Sequence, residues 1–225
     1  MLEVIKTVTP SPEQWEIVIE GMRNPMNSWA NMDSVVDGGT IDIGQADNER
    51  MLNLAKGGPV HAKYRRMLPV IFTLNAPLYW WKEMETYRTG IAPNPTDIDF
   101  NACSTMHRIT EKHFEMDDFS TECLLPEAQR DMQNHIDELN YYRSCYLDWK
   151  AKKRDDLARD YWYTLIQRLP TNYNQKRTIG TNYEALSAMY HWRHEHKLSE
   201  WRTLCEWMKT LPHCEIITLE ETGNG

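Results

Sequence analysis

The passage from Val70 to Arg88 constrains this chain most. Val70-Ile71-Phe72-Thr73-Leu74 is a short apolar run, rich in β-branched and aromatic residues, and it reads as a buried strand. Pro77 follows it, and a fixed φ with no N–H suits the first turn of a helix. The helix it opens, through Ala76–Arg88, carries Tyr79, Trp80, Trp81 and Tyr87 with Lys82, Glu83 and Glu85 between the rings. A strand running straight into a helix this rich in rings has two uses. The rings fill a core or a subunit interface, or they form a wall for a planar ligand.

The rest of the chain supplies helices around that passage. Ser11-Pro12-Glu13-Gln14 is a capping box with Pro at the first helical position, so a helix is expected to about Met22. Leu2–Thr9 alternates like a strand, and Asp33–Ile43, with Asp37-Gly38-Gly39, reads as a hairpin or a loop with short strands. Asp47–Lys56 reads as a helix ended by Gly57-Gly58-Pro59, and His61–Met67 as a short helical segment. The spacing of Met132, Ile136, Leu139, Tyr142, Tyr146 and Trp149 predicts one continuous helical face over Glu127–Trp149. Lys150–Asp156 is a charge run of the kind that solvates a helix end. Leu157–Leu169 reads as a helix, Thr181-Asn182-Tyr183-Glu184 as a capping box opening another to His194, and Ser199 as the cap of a last helix to Met208. His107–His113 reads as a helical turn, Thr89–Asp99 as a loop and Glu215–Leu219 as a strand. Helices with a few widely separated strands make an α+β protein, and 225 residues suit a single domain over 1–225.

Composition narrows the partners. The net charge is −8 and no basic stripe is present, so no nucleic-acid partner is expected. No apolar run approaches the roughly 20 residues of a membrane span, and Met-Leu-Glu-Val-Ile-Lys is unlike a leader segment. Five scattered cysteines with no Cys-x-x-Cys pair read as reduced thiols of a cytoplasmic protein.

Familiar catalytic motifs are missing. There is no Gly-x-Gly-x-x-Gly and no Walker loop. His191-x-x-His194-x-His196 lacks a Cys or carboxylate at ligand spacing, and its histidines suit a helix C-terminus, so no metal is expected. Cys103-Ser104 with His107 is a thin basis for a nucleophile. What remains is a diffuse set: rings at 79–87, His61, the cations Lys63, Arg65, Arg66, Arg88, Arg177 and Arg193, and Asn172 and Asn182. A flat, multiply charged ligand would use such a set, with rings stacking and arginines forking onto phosphate or carbonyl oxygens.

Two stretches carry a resemblance. His61 precedes Phe72-Thr73, Ala76-Pro77 and a helix ending at Arg88; Leu169-Pro170-x-Asn172 is followed by Thr181-Asn182, Leu186, Arg193 and Glu200-Trp201. In this order and spacing the chain resembles the flavin-dependent thymidylate synthases (the ThyX family), and within them a divergent phage- and Firmicute-type branch. That family has a helix ending in Gln-x-x-Arg-His-Arg after its Ala-Pro. The resemblance implies a thymidylate synthase-complementing-like fold, helix-rich with a small antiparallel sheet, assembled as a homotetramer. It implies transfer of a one-carbon unit to C5 of dUMP, with FAD as cofactor and NADPH and methylenetetrahydrofolate as co-substrates.

Residue by residue, the resemblance makes His61, Arg88 and Asn182 flavin contacts; in a flavin enzyme Tyr79, Trp80, Trp81 and Tyr87 would shape the flavin wall, with Glu83 also among the cofactor-binding residues. Arg193 falls where an arginine holds the pyrimidine and helps activate it. Ser104, with His107 or Arg108, falls near the nucleotide phosphate, and Lys176 or Arg177 takes the place of a phosphate-side arginine. The departures are specific: Thr86-Tyr87 stands for Arg-His, Glu83 for Gln, Ala188 for an Asn, and Glu184 for an Arg, where its charge would repel a flavin phosphate. A nucleotide-binding protein without flavin on the same scaffold, and a structural protein whose aromatic helix is an interface, remain open alternatives.

Overall fold

The computed structural model describes residues 2–88, 99–102, 104 and 106–219, without the side chains of Arg88 and residues 99–101. Six strands and eight helices appear among them. The strands are β1 (Glu3–Val8), β2 (Val35–Asp37), β3 (Thr40–Asp42), β4 (Pro69–Pro77), β5 (Asp99–Ala102) and β6 (Asn174–Asn182). The helices are α1 (Pro12–Arg23), α2 (Gln45–Lys56), α3 (Leu78–Met84), α4 (Pro126–Ala151), α5 (Asp155–Arg168), α6 (Tyr183–Arg193), α7 (Ser199–Met208) and α8 (Glu215–Thr218). β1-β4-β6-β5 form one small antiparallel sheet, and β2-β3 form a hairpin closed by Gly38 and Gly39, both at positive φ. Contacts divide the chain into two units: Met1–Glu3, Leu74–Glu83 and Ala102–Arg177, and Val4–Thr73, Met84–Asn101 and Thr178–Gly225.

The first unit is built on the antiparallel pair α4 and α5. Met132, Ile136 and Leu139 of α4 are buried with Leu165 of α5 and with Ile109, Phe114 and Phe119. Tyr142, Tyr146 and Trp149, on the same face, are only half-buried, so the predicted stripe is core at its N-terminal half alone. Buried Asn140 bonds both backbone groups of Phe114: its Oδ1 accepts from the N–H and its Nδ2 donates to the carbonyl, each at 2.9 Å. One amide side chain thus does for Phe114 what a neighbouring strand would do.

In the second unit α1, α2, α6, α7 and α8 enclose Trp15, Ile19, Met51, Tyr183, Leu186, Met189, Trp201, Leu204 and Met208, all nearly or fully buried. Trp15 meets Tyr183 edge-on, with ring centroids 5.4 Å apart. A buried charge network locks α2. Arg23 Nε donates to Asp47 Oδ1 at 2.7 Å, while Asp47 Oδ2 accepts from the N–H groups of Asp33 and Ser34 at 3.0 Å and from the Ser34 hydroxyl at 2.8 Å. The α2 cap is Gly44, which has no side chain to offer, so the Asp33 carboxylate accepts from Ala46 and Asp47 N–H instead. That carboxylate fills the space beside Gly44, where an added Cβ would lie 2.2 Å from Asp33 Cγ.

Several sequence expectations change. β4 alternates, with Val70, Phe72 and Leu74 buried and Ile71 48% exposed, so it is a one-sided strand rather than a fully buried one. Pro77 closes β4 instead of opening the helix. The helical turn expected over His107–His113 is replaced by turns at 107 and 109–110 with bends at 108, 111 and 112. Asn182, not Thr181, caps α6, its side chain accepting from Ala185 N–H at 3.0 Å, and Leu198 takes the cap position of α7 with Ser199 inside the helix. Residues 215–218 are helical, not extended: Ile216 and Ile217 are adjacent and both fully buried, which a half-buried strand cannot arrange. β6 went unforeseen because Asn-Gln-Lys-Arg-Thr has weak strand propensity, and pairing on both sides supplies what propensity does not. The loop expected over Thr89–Asp99 lies outside the described residues apart from Asp99, which begins β5.

Burial pushes the Asp47 carboxyl up, but the hydrogen bonds from Ser34, Asp33 and Arg23 outweigh it and hold the group below its ordinary value. The stabilisation is therefore present above the unfolded carboxylate pKa of about 4 and is lost as pH falls through the folded value. Asp47→Asn, leaving Arg23 buried without its counter-charge, is expected to lower unfolding free energy by about 3–5 kcal/mol at pH 7. It should also flatten the loss of stability below about pH 4, read by urea unfolding across pH.

Candidate functional site

In the first unit β4 delivers α3, whose leading N–H groups are satisfied by the segment before β6: Leu78 N–H donates to Tyr173 O and Tyr79 N–H to Thr171 O. Trp80 and Trp81 are fully buried, with centroids 5.0 Å apart in an edge arrangement. The Trp81 indole N–H donates to Gln175 O at 2.9 Å. The Arg177 guanidinium lies 4.4 Å from the Trp81 ring centroid, and its Nε donates to Gln175 Oε1 at 2.8 Å. A stacked ligand needs an open ring face, and neither tryptophan has one in the folded chain. The ring wall expected from Trp80 and Trp81 is therefore core packing, with Arg177 as the partner of Trp81. Glu83 is half-buried and Lys176 exposed.

Also in this unit, Ser104 Oγ accepts from His107 N–H at 3.0 Å and lies 3.1 Å from its Nδ1. Both are exposed, and Arg108 pairs with Glu111. His107 lines an open cleft of about 260 Å³ with Met106, Tyr146, Lys150, Asp155, Arg159 and Trp162. Cys103 lies outside the described residues.

In the second unit a 3₁₀ turn, Glu85–Arg88, carries Tyr87, which is 3% exposed. Arg193 is the last residue of α6, and Trp201 sits fully buried on α7. Arg193 Nε donates to the Tyr87 hydroxyl at 2.7 Å, and its guanidinium carbon lies 5.4 Å from the Tyr87 centroid and 4.8 Å from that of Trp201. The two ring centroids are 5.5 Å apart and tilted by 55°. The guanidinium therefore rests in the angle between two touching rings, not between parallel faces. His196 approaches Trp201 from the turn between α6 and α7, and its Nδ1 accepts from Leu198 N–H at 3.2 Å.

Other expected site residues stand elsewhere in this unit. His61 is exposed, on a turn where its N–H donates to Gly58 O. Asn182 is half-buried and occupied as the α6 cap. The side chain of Arg88 lies outside the described residues. Arg65, read from sequence as a ligand-facing cation, is fully buried: its Nε donates to Glu184 Oε2 at 2.8 Å and its Nη1 to Ser187 Oγ and Ile216 O at 3.0 Å. Glu184 is thus neutralised by a partner inside the chain instead of standing as a bare charge toward a ligand. Burial pushes the Cys205 thiol up to about 12, so it stays protonated and unreactive.

Sequence reasoning brought Tyr87 and Arg193 into one candidate set, and the structure joins them by a direct bond. It did not include Trp201 or Gln175. Trp201 follows Arg193 by two helical turns' worth of residues across a helix break, a separation no periodicity flags. Gln175 lies on the unforeseen strand.

No protein-family model and no curated protein matches the chain. Solved structures do. The fold is the thymidylate synthase-complementing-like one, a helix-rich α+β architecture with a small antiparallel sheet. Among its representatives, ThyX from Helicobacter pylori, crystallised with FAD and dUMP, matches with a TM-score of 0.64 at 16% identity over 98% of this chain and 97% of that one. A second Helicobacter pylori ThyX complex with FAD and dUMP gives 0.57 at 16% over 97% of each. The UMP/dUMP methylase PolB of Streptomyces cacaoi, bound with 5-Br dUMP, gives 0.59 at 14% over 100% of this chain and 97% of that one.

Glu184→Gln takes the Glu184 carboxylate away from the buried Arg65 guanidinium and is expected to destabilise the protein by about 3–5 kcal/mol, measured by chemical unfolding. Arg65→Met in the Glu184→Gln background should recover most of that loss, because it removes the buried charge that has lost the Glu184 carboxylate while roughly keeping volume.

Proposed function

We propose that this chain transfers a one-carbon unit to C5 of a pyrimidine deoxynucleotide, dUMP or a close variant, with FAD as its redox group. The observation that carries this reading is Arg193, a half-buried guanidinium held by Tyr87 and Trp201 at the position where the family resemblance puts the pyrimidine-binding arginine. A guanidinium fixed in that way can oppose charge developing on a pyrimidine carbonyl as a nucleophile or electrophile meets C5. The fold likeness to proteins crystallised with dUMP, FAD and 5-Br dUMP supports the same substrate class.

The chain's residues fit the two halves of FAD unequally. His61, Lys63 and Arg66 stand exposed along one turn and suit a diphosphate. The isoalloxazine ring finds no stacking face on Trp80, Trp81 or Tyr87, which are closed within the chain. Bound flavin would supply the hydride, with methylenetetrahydrofolate as carbon donor and NADPH as reductant. Within the reading, His61, Asn182 and Arg88 contact the cofactor, and Ser104, His107, Arg108, Lys176 and Arg177 serve the nucleotide phosphate. The chain acts as one domain of a cytoplasmic homotetramer in the divergent phage- and Firmicute-type branch. The closed ring faces favour one further reading, a nucleotide-binding protein without flavin.

Purified protein separates the two. Yellow protein with absorbance near roughly 450 nm, stabilised against heat by dUMP, fits the enzyme. Colourless protein that takes up no added FAD yet is stabilised by dUMP fits the second reading, and rescue of a thymidine auxotroph would establish turnover. Arg193→Ala is expected to weaken dUMP binding by at least about tenfold, the loss of one charged hydrogen bond, with the oligomer unchanged by light scattering. Unaltered dUMP affinity would remove Arg193 from the site.

A further inference from the structure

We infer that the cleft between the end of α4 and the start of α5, in the first unit, binds a phosphate monoester carried on a flat ring. It is inferred from the first unit alone and does not draw on the nucleotide reading of Arg193. Helical spacing assembles it. Tyr146 and Lys150 are four apart on α4, while Asp155, Arg159 and Trp162 are spaced four and three on α5, so each set shares a helix face. Lys153, in the left-handed region at φ 55°, turns the chain between the helices. The two faces then line one cleft of about 260 Å³ with Met106 and His107. That volume is close to the roughly 300 Å³ at which small-molecule sites begin.

The chain is acidic overall at −8, but this cleft carries more positive than negative charge. Two members of the charge run at 150–156 meet there. Lys150 Nζ donates to Asp155 Oδ1 at 2.8 Å, which occupies one of its three N–H groups. Asp155 stands one turn before Arg159 and would be its i,i+4 partner, but the carboxylate goes to Lys150 instead. Arg159 is exposed, and among the described residues it has no ion pair or hydrogen bond. Its planar fork and the spare ammonium N–H groups match phosphate oxygens. His107 adds a third group. Its Nδ1 lies 3.1 Å from Ser104 Oγ, and a neutral ring that accepts the serine proton there carries its own proton on Nε2. A phosphate monoester has three terminal oxygens for these three groups, where a carboxylate has two. The rings supply the rest. Tyr146 and Trp162 are half-buried, so unlike Trp80 and Trp81 they keep exposed surface for a flat ring. Trp162 packs on the core of the unit, and its indole N–H donates to Met106 O at 2.9 Å. It is therefore fixed before a ligand arrives, which spares the ligand that ordering cost.

Phenyl phosphate is the probe, titrated into the full-length protein. Binding is read by calorimetry and by the Trp162 indole N–H resonance, assigned by its loss in Trp162→Phe. Phenyl phosphate is expected to shift that resonance, and benzoate, with the same ring and one oxygen fewer, to bind at least about tenfold more weakly. Arg159→Gln, at an exposed position, should leave the fold intact and weaken phenyl phosphate about tenfold, the loss of one charged hydrogen bond. Arg154→Gln removes a neighbouring cation that pairs with Asp156 and does not line the cleft, and should change affinity less than about twofold. An unmoved Trp162 resonance at roughly 10 mM phenyl phosphate, equal losses in the two arginine variants, or equal binding of benzoate overturns the inference. Titrating dUMP into Arg159→Gln separates two sources of such a group. A matching loss assigns the cleft to the nucleotide of the proposed reaction; unchanged dUMP affinity beside weakened phenyl phosphate assigns it to a second phosphorylated ring compound. Unaltered dUMP binding in Arg193→Ala counts against the nucleotide reading alone and leaves the cleft standing.

Discussion

A guanidinium shut away from water must find its counter-charge and its acceptors inside the protein, and the second unit is arranged around that demand at Arg65. Removing an ion from water costs several kcal/mol even after relaxation, so its partners are not optional. They come from two helices. Glu184 and Ser187 are three apart on α6 and share a face, while Ile216 gives its carbonyl from α8. Ser187 is held in turn, its hydroxyl donating to Ile217 O. The rotation of α6 about its axis is thereby set at its first turn, and so is the direction in which its last residue, Arg193, leaves.

Most of the helices were legible in the chain because each is bounded by local chemistry. Ser11 with Gln14, the breaker Gly57-Gly58-Pro59 and the spacing through α4 all act within a few residues. What escaped was set by distant partners. β6 is a strand because neighbours on either side take its backbone groups, not because its residues favour extension. Ile216 and Ile217 look like a strand fragment until both must be buried against α2 and α6. Glu184 looked like a misplaced charge because its partner is far upstream in sequence.

The candidate site was half legible. Family resemblance singled out Arg193 and Tyr87, and the residue types alone supplied their motive, a cation and a ring. Resemblance could not tell that a phenol in place of an imidazole would bond the arginine, nor that Trp80 and Trp81 would be closed off. Surplus rings raise the same expectation whether they end as a ligand wall or as core. Only burial separates the two outcomes, and here it gives Trp81 to Gln175 and Arg177.

The close approach of Asp33 to Gly44 reaches into the history of the chain. A methyl at Gly44 collides with the carboxylate that caps the start of α2, and a shorter side chain at Asp33 leaves two helix N–H groups without that acceptor. Neither residue can drift first without loss. Hairpin and helix are therefore inherited as one block, and length variation among relatives should collect at the Gly38-Gly39 tip, where an added side chain meets nothing within 4 Å and only the positive φ resists change.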